Sequence, residues 1–518
     1  MTVAELLAAL GDIAPATGVA IDPATADRTV KSIVYDSRKA SASSIFIAVK
    51  GQKADGSTFA AQAVSKGAML VVAETARPAG IVAPWVVVPD PRLAMATLAA
   101  RLYRHPSREL QVVGITGTNG KTTTAYLAAA LFEAAGVRCG MLGTIVYRTG
   151  AEEHAATRTT PESVDVQQML REMVTRGCGA CAMEVSSHAL AQRRVDELRF
   201  SVGVFTNLTR DHLDYHGDME SYFGAKRRLF QLLGPTGTAV VNVDDPRGAS
   251  LAGIAGRTLT YAIDRPADIR PVGLSHSLRG FAFEATSPVG PIQVRSRMVG
   301  RANVYNVLSA IGAAVASGLP VDAIERGLEG IDAVPGRFQV VSQADDDISV
   351  VVDYAHTDDA LKNLLETARP LASKRLITVF GAGGDRDRTK RPLMGAVAAR
   401  LSDLVIITSD NPRSEDPNRI IEEITRGVAV PAERTRPAES REGQPKYTPP
   451  KATAHMAIVD RKVAIERAIS IAQPDDVVLL AGKGHEKYQV IGEREIPFDD
   501  VAIAREALAK RRAGRGQP

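Results

Sequence analysis

The sequence has little of what marks several protein classes. Only three of its 518 residues are cysteine, an odd number that does not build a disulfide framework. Lys and Arg total 63 against 59 Asp and Glu, an excess too small to indicate nucleic-acid binding by itself. No apolar run approaches the roughly 18 residues of a membrane span. The first segment carries an acid, Glu5, and no basic run of a signal peptide, so we expect a cytoplasmic protein without nucleic-acid or membrane partners.

Two of the cysteines are closely spaced. Cys178 and Cys181 form a C-x-x-C pattern, which suits redox chemistry or half of a zinc site. The sequence has no second C-x-x-C to complete a site of four thiolates, and Cys181 opens the apolar run CAMEV. We therefore expect both cysteines to be core residues.

Strand-like and helix-like segments alternate along the chain. β-Branched runs such as LQVVGIT, RLITVF and VVLLAG alternate with stretches such as TTTAYLAAALFEAAG, which is typical of parallel sheets covered by helices. The 518 residues correspond to about three domains. Breaks near RHPSREL and near Pro335 predict domains at residues 1–107, 108–336 and 337–518. Within the third domain, residues 431–451 are rich in Pro, Arg, Glu and Ser and predict a surface excursion.

Residues 112–124, VVGITGTNGKTTT, have the order strand, glycine turn and helix that a phosphate-binding loop requires. Gly117 and Gly120 let the backbone approach a phosphate group. Lys121 can reach the terminal phosphates, and Thr122 can ligate Mg²⁺. A strict P-loop has glycine where this chain has Ile115, but GKTT at the start of a helix still predicts nucleotide binding.

Acidic and histidine residues follow in the same predicted domain. Glu184 ends the apolar run AMEV, where a parallel sheet presents side chains to a ligand, and its carboxylate suits Mg²⁺. Further on, the segment TNLTRDHLDYHGDMESYFGAKRRLF contains His212 and His216 among acids, then Lys226 on a predicted helix. Any one of these residues alone also fits an ordinary surface loop.

A second glycine-rich segment, LITVFGAGGDRDRTKRP, raises the alternative of dinucleotide binding. The third glycine of the G-x-G-x-x-G pattern is replaced by Arg386. Its bulk would block the close packing of helix and pyrophosphate, so this segment argues against an NAD site.

The segment ITSDNPRSEDP follows another apolar strand. Arg413 offers a planar fork for a carboxylate, while Asp410 or Asn411 can meet an ammonium group. The segment therefore predicts recognition of an amino-acid head group, although Asn-Pro also forms ordinary turns.

The motif GTNGKTT resembles the ATP loop of the Mur ligases and of the related folylpolyglutamate synthetases, which form amide bonds through an acyl phosphate. Segments such as YDSR, RANVYNVLSA, PGRF, VVDYAHT and DNPR occur in Mur ligase order, so that the resemblance covers nearly the whole chain apart from the excursion near Pro431. It implies an α/β protein of three domains: an N-terminal UDP-MurNAc-binding domain, a central P-loop ATPase-type parallel sheet and a C-terminal Rossmann-like, amino-acid-binding domain.

The resemblance also implies the roles of individual residues. For ATP it points to Gly117, Thr118, Asn119, Gly120, Lys121, Thr122, Thr123, Asn306, Arg337 and Asp353. For UDP-MurNAc-dipeptide it points to Ser37, Gln52, Lys53, Ala54, Thr159, Thr160, Ser186, Gln192 and Arg194. For diaminopimelate it points to Arg386, Asp410, Asn411, Pro412, Arg413, Gly482 and Glu486. The implied magnesium ligands are Thr122, Glu184, His212 and Lys226 as a carbamate, and the implied catalytic residues are Lys121, Lys226 and His212.

The activity that the resemblance implies is ATP- and Mg²⁺-dependent addition of meso-diaminopimelate to the D-glutamate of UDP-MurNAc-L-Ala-D-Glu, by a monomer. Three alternatives stay open: the same ligase using L-lysine, a folylpolyglutamate-type ligase, and a P-loop ATPase without an acceptor. The base that takes a proton from the attacking amine also stays open between His356 and Asp353.

Overall fold

A computed structural model describes residues 1–13, 21–51, 54–277, 280–343, 345–429 and 454–515. Three largely parallel sheets follow one another along the chain and are covered by helices, which confirms the expected α/β class. The excursion expected at residues 431–451 lies outside the described residues. Among the described helices, none is both long and apolar enough to cross a membrane.

The first unit is a parallel sheet of four strands in the order β1-β2-β3-β4. Its central strand SIFIA is fully buried, as expected for a β-branched and aromatic run between two layers of helices. The strands are β1 Ser32–Val34, β2 Ser44–Ala48, β3 Leu70–Ala73 and β4 Trp85–Val87, and the helices are α1 Val3–Leu7, α2 Pro23–Ala26, α3 Ala60–Ser65 and α4 Pro91–Leu102.

The second unit contains a sheet of eight strands in the order β12-β11-β10-β5-β9-β6-β7-β8. The strands are β5 Gln111–Thr116, β6 Cys139–Leu142, β7 Val146–Thr149, β8 Glu152–Ala155, β9 Ala180–Glu184, β10 Val202–Phe205, β11 Thr238–Asn242 and β12 Arg257–Tyr261. Six of these strands run parallel, and β7 and β8 add an antiparallel hairpin at one edge. Because β5 lies between β9 and β10, the loops after these strands meet at one edge of the sheet.

Helices cover both faces of this sheet, and a separate antiparallel sheet packs beside it. The helices are α5 Lys121–Ala134, α6 Ser163–Thr175, α7 Ser187–Ala191, α8 Leu213–His216, α9 Met219–Gln231, α10 Arg301–Ala316 and α11 Val321–Glu329. The additional strands are β13 Arg270–Ser277, β14 Gly280–Thr286 and β15 Ile292–Ser296. The alternation of segments in the sequence did not indicate this antiparallel sheet.

The third unit is a sheet of six strands in the order β16-β17-β21-β18-β19-β20, in which only β16 is antiparallel. Its strands are β16 Gln339–Val340, β17 Ser349–Asp353, β18 Leu376–Phe380, β19 Leu404–Ile407, β20 Ala454–Ala457 and β21 Val477–Ala481, followed by a hairpin of β22 Tyr488–Ile491 and β23 Arg494–Pro497. The helices are α12 Asp358–Ala368, α13 Lys390–Leu401, α14 Pro417–Ala429, α15 Arg461–Ile471 and α16 Asp500–Arg515. Because β18 lies between β21 and β19, the loops that follow these three strands also meet.

The three cysteines lie in the core of the second unit, as expected. Cys139, Cys178 and Cys181 are free and buried. Burial raises the pKa of the Cys181 thiol well above its usual value, which keeps the sulfur protonated and unreactive.

Candidate active site

The segment 117–120 forms a tight loop between β5 and α5. Gly117 has a φ of 152°, and a Cβ atom placed on it would lie 1.8 Å from Thr206 Oγ1. Lys121 starts α5, and its Nζ donates to the carbonyl oxygens of Gly117 and Thr118 at 2.9 and 2.8 Å. Ile115, where a strict P-loop has glycine, is a fully buried residue of β5. The loop is therefore shorter than a strict P-loop and begins only after the strand.

Glu184 ends β9, next to the start of α5. Its side chain is 1% exposed. Its carboxylate accepts hydrogen bonds from Thr144 N at 2.7 Å, Thr144 Oγ1 at 3.0 Å and Thr122 Oγ1 at 3.0 Å. The structure thus brings Glu184 and Thr122, two of the residues expected to hold a metal ion, into direct contact.

Lys226 is buried on α9 and faces the phosphate-binding loop. It is 1% exposed, its Nζ donates to the carbonyl oxygen of Gly117 at 2.7 Å, and the same atom lies 4.4 Å from the centre of the Tyr222 ring. Burial, together with the positive charge of Lys121, lowers the pKa of Lys226 well below its usual value. The side chain therefore has a strong tendency to lose its proton.

His212 precedes α8 and lies close to the same lysines. Burial lowers the pKa of its imidazole, with smaller contributions from Lys121 and Lys226. A neutral imidazole is the form that can ligate a metal ion. Its ring also contacts His188, with ring centres 4.8 Å apart.

A set of hydroxyl, amide and guanidinium groups lies beside Glu184. Thr160 Oγ1 donates to the carbonyl oxygen of Glu184 at 2.9 Å and to Ser186 Oγ at 3.3 Å. Arg194 donates to the carbonyl oxygen of Thr160 at 2.9 Å and to Gln192 Oε1 at 2.7 Å. Thr159 joins this group through a hydrogen bond from Thr144 Oγ1 at 3.1 Å.

The structure adds residues to this group and leaves others apart. Tyr215, which the sequence analysis did not single out, accepts a hydrogen bond from Gln192 at 3.2 Å. Ser37 and the exposed Ala54 lie in the first unit, where Ser37 Oγ donates to Gln62 Oε1 at 2.6 Å. Gln52 and Lys53 lie outside the described residues.

Residues of the third unit reach the phosphate-binding loop. Arg337 donates from Nη2 to Thr122 Oγ1 at 3.2 Å, and its guanidinium group lies 4.6 Å from the centre of the Tyr354 ring. Asp353 ends β17 and accepts hydrogen bonds from Phe338 N at 2.6 Å and Ala355 N at 2.8 Å. The contact between Arg337 and Thr122 joins the ends of the two sheets, whereas the hydrogen bonds of Asp353 lie within the third unit.

On the other side of the loop lies Asn306, a buried residue of α10. Its Oδ1 lies 2.4 Å from the position that a Cβ atom on Gly120 would occupy, so the backbone and this amide approach closely. Thr118, Asn119 and Thr123 belong to the same loop and helix start. Asn119 also donates to Asp359 Oδ2 of the third unit at 3.3 Å.

Two guanidinium groups lie at the carboxyl edge of the third sheet. A Cβ atom on Gly383 would lie 3.0 Å from Arg413 Nη1 and 3.7 Å from Arg386 Cγ, so both arginine side chains lie beside this glycine. Arg413 Nη1 donates to the carbonyl oxygen of Gly384 at 2.7 Å. We call Arg386 and Arg413 the arginine pair.

The loop that carries the arginine pair is held by a residue that looks like a surface residue in the sequence. Arg391, on α13, is 0% exposed and donates to Glu415, to Glu423 and to the carbonyl oxygen of Gly383 at 2.8–3.2 Å. It ties the loop after β18 to the segment after Pro412. Nothing in the sequence around KRPLMG distinguishes it from an exposed helical arginine.

Beside the arginine pair lies a compact polar cluster formed by the loops after β19 and β21. Asn411 Nδ2 donates to Glu486 Oε2 at 2.9 Å. Lys483, absent from the sequence-based assignments, donates to Asn411 Oδ1 at 2.9 Å and lies 3.3 Å from Asp410 Oδ1 and 3.4 Å from Glu486 Oε2. We call Asp410, Asn411, Lys483 and Glu486 the acidic box. Asp410 Oδ2 lies 3.3 Å from the Cβ position of Gly482, where only glycine leaves that carboxylate open.

The chain is similar to known proteins over nearly its whole length. Models described as "Mur ligase middle domain", "Mur ligase, glutamate ligase domain" and "Mur ligase family, catalytic domain" match residues 115–314, 336–484 and 29–103. The chain is 48% identical over 497 residues to UDP-N-acetylmuramoyl-L-alanyl-D-glutamate--2,6-diaminopimelate ligase of Geobacter metallireducens, which covers 94% of this chain and 96% of that protein. It is 45% identical over 488 residues to the protein of the same name from Gloeobacter violaceus, covering 94% and 95%. A solved structure with that name has a TM-score of 0.67 and 34% identity and covers 99% of this chain and 100% of that chain.

Proposed function

Because the chain belongs to the Mur ligase family, we propose that it uses ATP to join meso-diaminopimelate to the D-glutamate side chain of UDP-N-acetylmuramoyl-L-alanyl-D-glutamate, a step of peptidoglycan precursor synthesis. The observation that carries this choice of amino acid is the position of the arginine pair next to the acidic box. A carboxylate and an ammonium on one carbon atom, as at the far end of meso-diaminopimelate, match these two charge types.

Each unit of the fold receives one substrate in this proposal. We assign UDP-MurNAc to residues 1–107, ATP to residues 108–336 and the amino acid to residues 337–518. The assignments of Ser37, Gln52, Lys53 and Ala54 rest on the resemblance. We expect the chain to act as a monomer in the cytoplasm, where its nucleotide substrates are found.

ATP would lie between the second and third units. The N–H groups at the start of α5 and the Lys121 ammonium group lie at the loop 117–120 and suit phosphate oxygens, whereas Thr118 N and Asn119 N donate to Asn207. Thr123 and Asn306 flank this loop. Arg337 contacts Thr122 from the third unit, and Asp353 accepts a hydrogen bond from the backbone of Phe338, the residue after Arg337. Since Arg337 reaches Thr122 in the second unit, movement of the two units apart would remove it from the phosphates.

The residues present fit a magnesium site if Lys226 is modified. Among the described residues no group of three or more His, Cys, Asp or Glu side chains is arranged to hold a metal ion. Glu184 is a buried carboxylate without a cationic partner among its hydrogen bonds, beside Thr122. Thr122, Glu184, His212 and a carbamate on Lys226 would together provide oxygen and nitrogen ligands. Magnesium, when bound there, supplies positive charge to the phosphate oxygens.

The environment of Lys226 suits carbamate formation. The unprotonated amine attacks CO₂, a C–N bond forms, and the nitrogen loses a proton to give a carbamate anion. Burial favours the unprotonated amine, since it lowers the pKa of Lys226. The product replaces a cation by an anion, which suits a position next to a metal ion.

The reaction then proceeds in two steps. The D-glutamate carboxylate, oriented by Thr160, Ser186 and Arg194, attacks the γ-phosphorus of ATP, and ADP leaves while Lys121 and the first N–H groups of α5 hold the transferred phosphoryl group. The diaminopimelate amine, held from its far end by the arginine pair and the acidic box, attacks the acyl carbon. The tetrahedral intermediate collapses to an amide and phosphate, and the amine loses a proton.

The proton acceptor of the second step stays open between two residues. His356 Nδ1 donates to the carbonyl oxygen of Tyr354 at 2.8 Å, and burial lowers the pKa of its imidazole. Burial raises the pKa of Asp353, whose oxygens already accept two backbone N–H groups.

One assay tests the proposal against its alternatives. ATP turnover is measured with UDP-muramyl dipeptide and, in turn, meso-diaminopimelate, L-lysine and glutamate. We expect turnover and a new amide product with meso-diaminopimelate. Turnover with L-lysine alone would overturn the choice of amino acid, turnover with glutamate alone would indicate a folylpolyglutamate-type ligase, and ATP hydrolysis independent of any acceptor would contradict a ligase.

Substitution of Gly117 tests the phosphate-binding loop. The added methyl group of Gly117→Ala would overlap Thr206 Oγ1, so the loop must shift away from its present position. We expect the KM for ATP to rise at least about 10-fold, because a shifted loop no longer holds Lys121 and the start of α5 in position for the phosphates. Gly136→Ala is the matched control: it also has positive φ, at 77°, but nothing lies within 4 Å of its Cβ position. An unchanged KM for ATP in Gly117→Ala would contradict the loop's role.

A further inference from the structure

Lys483 is fully buried, yet the assignments based on family resemblance give it no part in binding the amino acid. Its side chain has 0% exposure. A lysine buried in this way needs partners, because transfer of an ammonium group from water to a protein interior is costly. Besides the contacts within the acidic box, its Nζ donates to the carbonyl oxygen of Tyr488 at 2.7 Å. Among the described residues, its hydrogen-bond and ion-pair partners therefore belong to the box or to the hairpin of β22 and β23.

Lys483 determines which way the Asn411 amide faces. Asn411 Oδ1 accepts two hydrogen bonds, from Lys483 Nζ at 2.9 Å and from Val490 N at 3.0 Å. With the amide turned over, its NH₂ group would face an ammonium group and a backbone N–H, which are both donors. The observed orientation instead directs Asn411 Nδ2 to Glu486. Lys483 thus holds Glu486 both directly and through Asn411.

Lys483 also sets the charge of the acidic box. Asp410 and Glu486 carry two carboxylates on the loops after β19 and β21. Lys483 is the cation in contact with both carboxylates. The three groups together carry one net negative charge when all are ionised. Among the described residues, Asp410 Oδ1 is buried and has the Lys483 ammonium group 3.3 Å away but accepts no hydrogen bond, so it can still accept one. One additional ammonium group would neutralise the box and supply that hydrogen bond.

We propose that Lys483 is a positioning residue that shapes the acidic box into a receptor for one substrate ammonium group, and thereby sets the preference for an amino acid with an amine at its far end. This inference rests on the proposed function. The arginine pair and the box then divide the recognition: the arginines select the far carboxylate, and the box selects the far amine on the same carbon. Lys483 acts through Asn411, Asp410 and Glu486 and does not itself need to touch the substrate.

Two substrate analogues separate these contributions. L-2-Aminopimelate keeps the far carboxylate of meso-diaminopimelate and lacks the far amine, whereas L-lysine keeps the amine and lacks the carboxylate. The variants are Lys483→Met, which keeps the length of the side chain without its charge, and Lys483→Arg. Lys487→Met is the matched control, because Lys487 is four residues away and pairs with Asp499 at the surface with a side chain 63% exposed. For each protein, kcat and the KM values for the three amino acids and for ATP are measured, together with Tm.

We expect Lys483→Met to raise the KM for meso-diaminopimelate about 100-fold, because Asn411 and Glu486 lose the donor that orients them and the two buried carboxylates repel each other out of place. The KM for 2-aminopimelate should change much less, so the preference for meso-diaminopimelate over 2-aminopimelate falls by a similar factor. The KM for ATP should stay within about 2-fold, and Lys487→Met should resemble the unchanged protein. Lys483→Arg retains a positive charge but presents it as a planar fork, so it should raise the KM for meso-diaminopimelate about 10-fold, less than Lys483→Met.

The outcomes distinguish this inference from the proposed function. If the unchanged protein forms no product with meso-diaminopimelate, the proposed function fails. If it does, and Lys483→Met keeps the same preference for meso-diaminopimelate over 2-aminopimelate, the positioning role is overturned. If Lys483→Met does not fold, Lys483→Arg tests the positioning role. An increase of about 10-fold in the KM for meso-diaminopimelate at constant KM for ATP supports that role. An unchanged KM for meso-diaminopimelate in Lys483→Arg overturns it. Equal changes in the KM for meso-diaminopimelate and in the KM for ATP would indicate general damage to the protein and would also overturn the positioning role.

Discussion

Replacement of Lys226 by alanine should lower kcat at least about 1,000-fold, with only a small change in the KM for the amino acid, because the change removes a proposed metal ligand next to the reacting phosphoryl group. Lys226 touches the phosphate-binding loop through the carbonyl oxygen of Gly117, far from the arginine pair in the chain. Activity should return in part when acetate or another short carboxylic acid is added, since the small anion can occupy the space of the carbamate. The measurement is amide formation against carboxylate concentration.

A second observation distinguishes a carbamate from an ordinary buried lysine. The carbamate forms reversibly from CO₂, so the unchanged protein should lose activity when bicarbonate and CO₂ are removed and regain it when bicarbonate returns. Lys226→Ala should not respond to bicarbonate. The exposed neighbour Arg227 provides the control, since Arg227→Ala changes the same turn of α9 without touching the loop. Full activity of Lys226→Ala, or no rescue by carboxylic acids, would argue against a carbamate in this position.

The parallel sheets could be predicted because their strands carry a strong local signal. QVVGIT in β5 and VVLLA in β21 are almost entirely buried. Such β-branched, apolar runs between helices are typical of strands in a parallel sheet that is covered on both faces. The antiparallel parts lack this signal. All four residues of β23, REIP, are exposed, and β8, EEHA, is exposed throughout. β8 and β23 are defined by pairing with a neighbouring strand rather than by burial, so periodicity in the sequence does not reveal these two strands.

The candidate site could be predicted where its residues lie close together in one short motif. Gly117, Gly120 and Lys121 lie within five residues of one another, and their roles follow from that spacing. Lys483 is different. Its importance depends on Asn411, which is 72 residues away in the sequence and is brought close only by the order of β21, β18 and β19. A buried lysine and an exposed lysine look alike in sequence, and the same is true of the fully buried Arg391.

The hairpin of β22 and β23 shows how tertiary contacts support the amino-acid site. Arg413 N donates to the carbonyl oxygen of Val490 at 3.1 Å, and Gly492 N donates to the carbonyl oxygen of Arg413 at 2.7 Å. These two bonds hold Arg413 at a φ of 52°, a left-handed conformation that is unfavourable for a side chain other than glycine. The hairpin therefore fixes the backbone from which the guanidinium group projects.

Replacement of Arg413 by methionine should change the choice of amino acid more than any other single substitution in the third unit. Methionine bears the same backbone strain at positive φ and fills similar space, so the change isolates the guanidinium group. A site that pairs a substrate group can reject an analogue lacking that group by about 10⁴ to 10⁵-fold. We expect kcat/KM for meso-diaminopimelate to fall by about 1,000-fold or more, while the low value for L-lysine changes little, so that the preference nearly disappears.

The arrangement around Gly383 defines the comparison variants for this experiment. Arg386 lies beside the same glycine and is exposed, so Arg386→Met should produce the same change with a smaller magnitude. Arg388, with a side chain 64% exposed, pairs with Glu415 and serves as the control for loss of a nearby positive charge. If Arg413→Met kept the original preference for meso-diaminopimelate over L-lysine, the far carboxylate would have to be recognised elsewhere. Loss of the preference in Arg413→Met but not in Arg388→Met would instead assign that carboxylate to one guanidinium group, because the general charge of the loop would be equal in both variants.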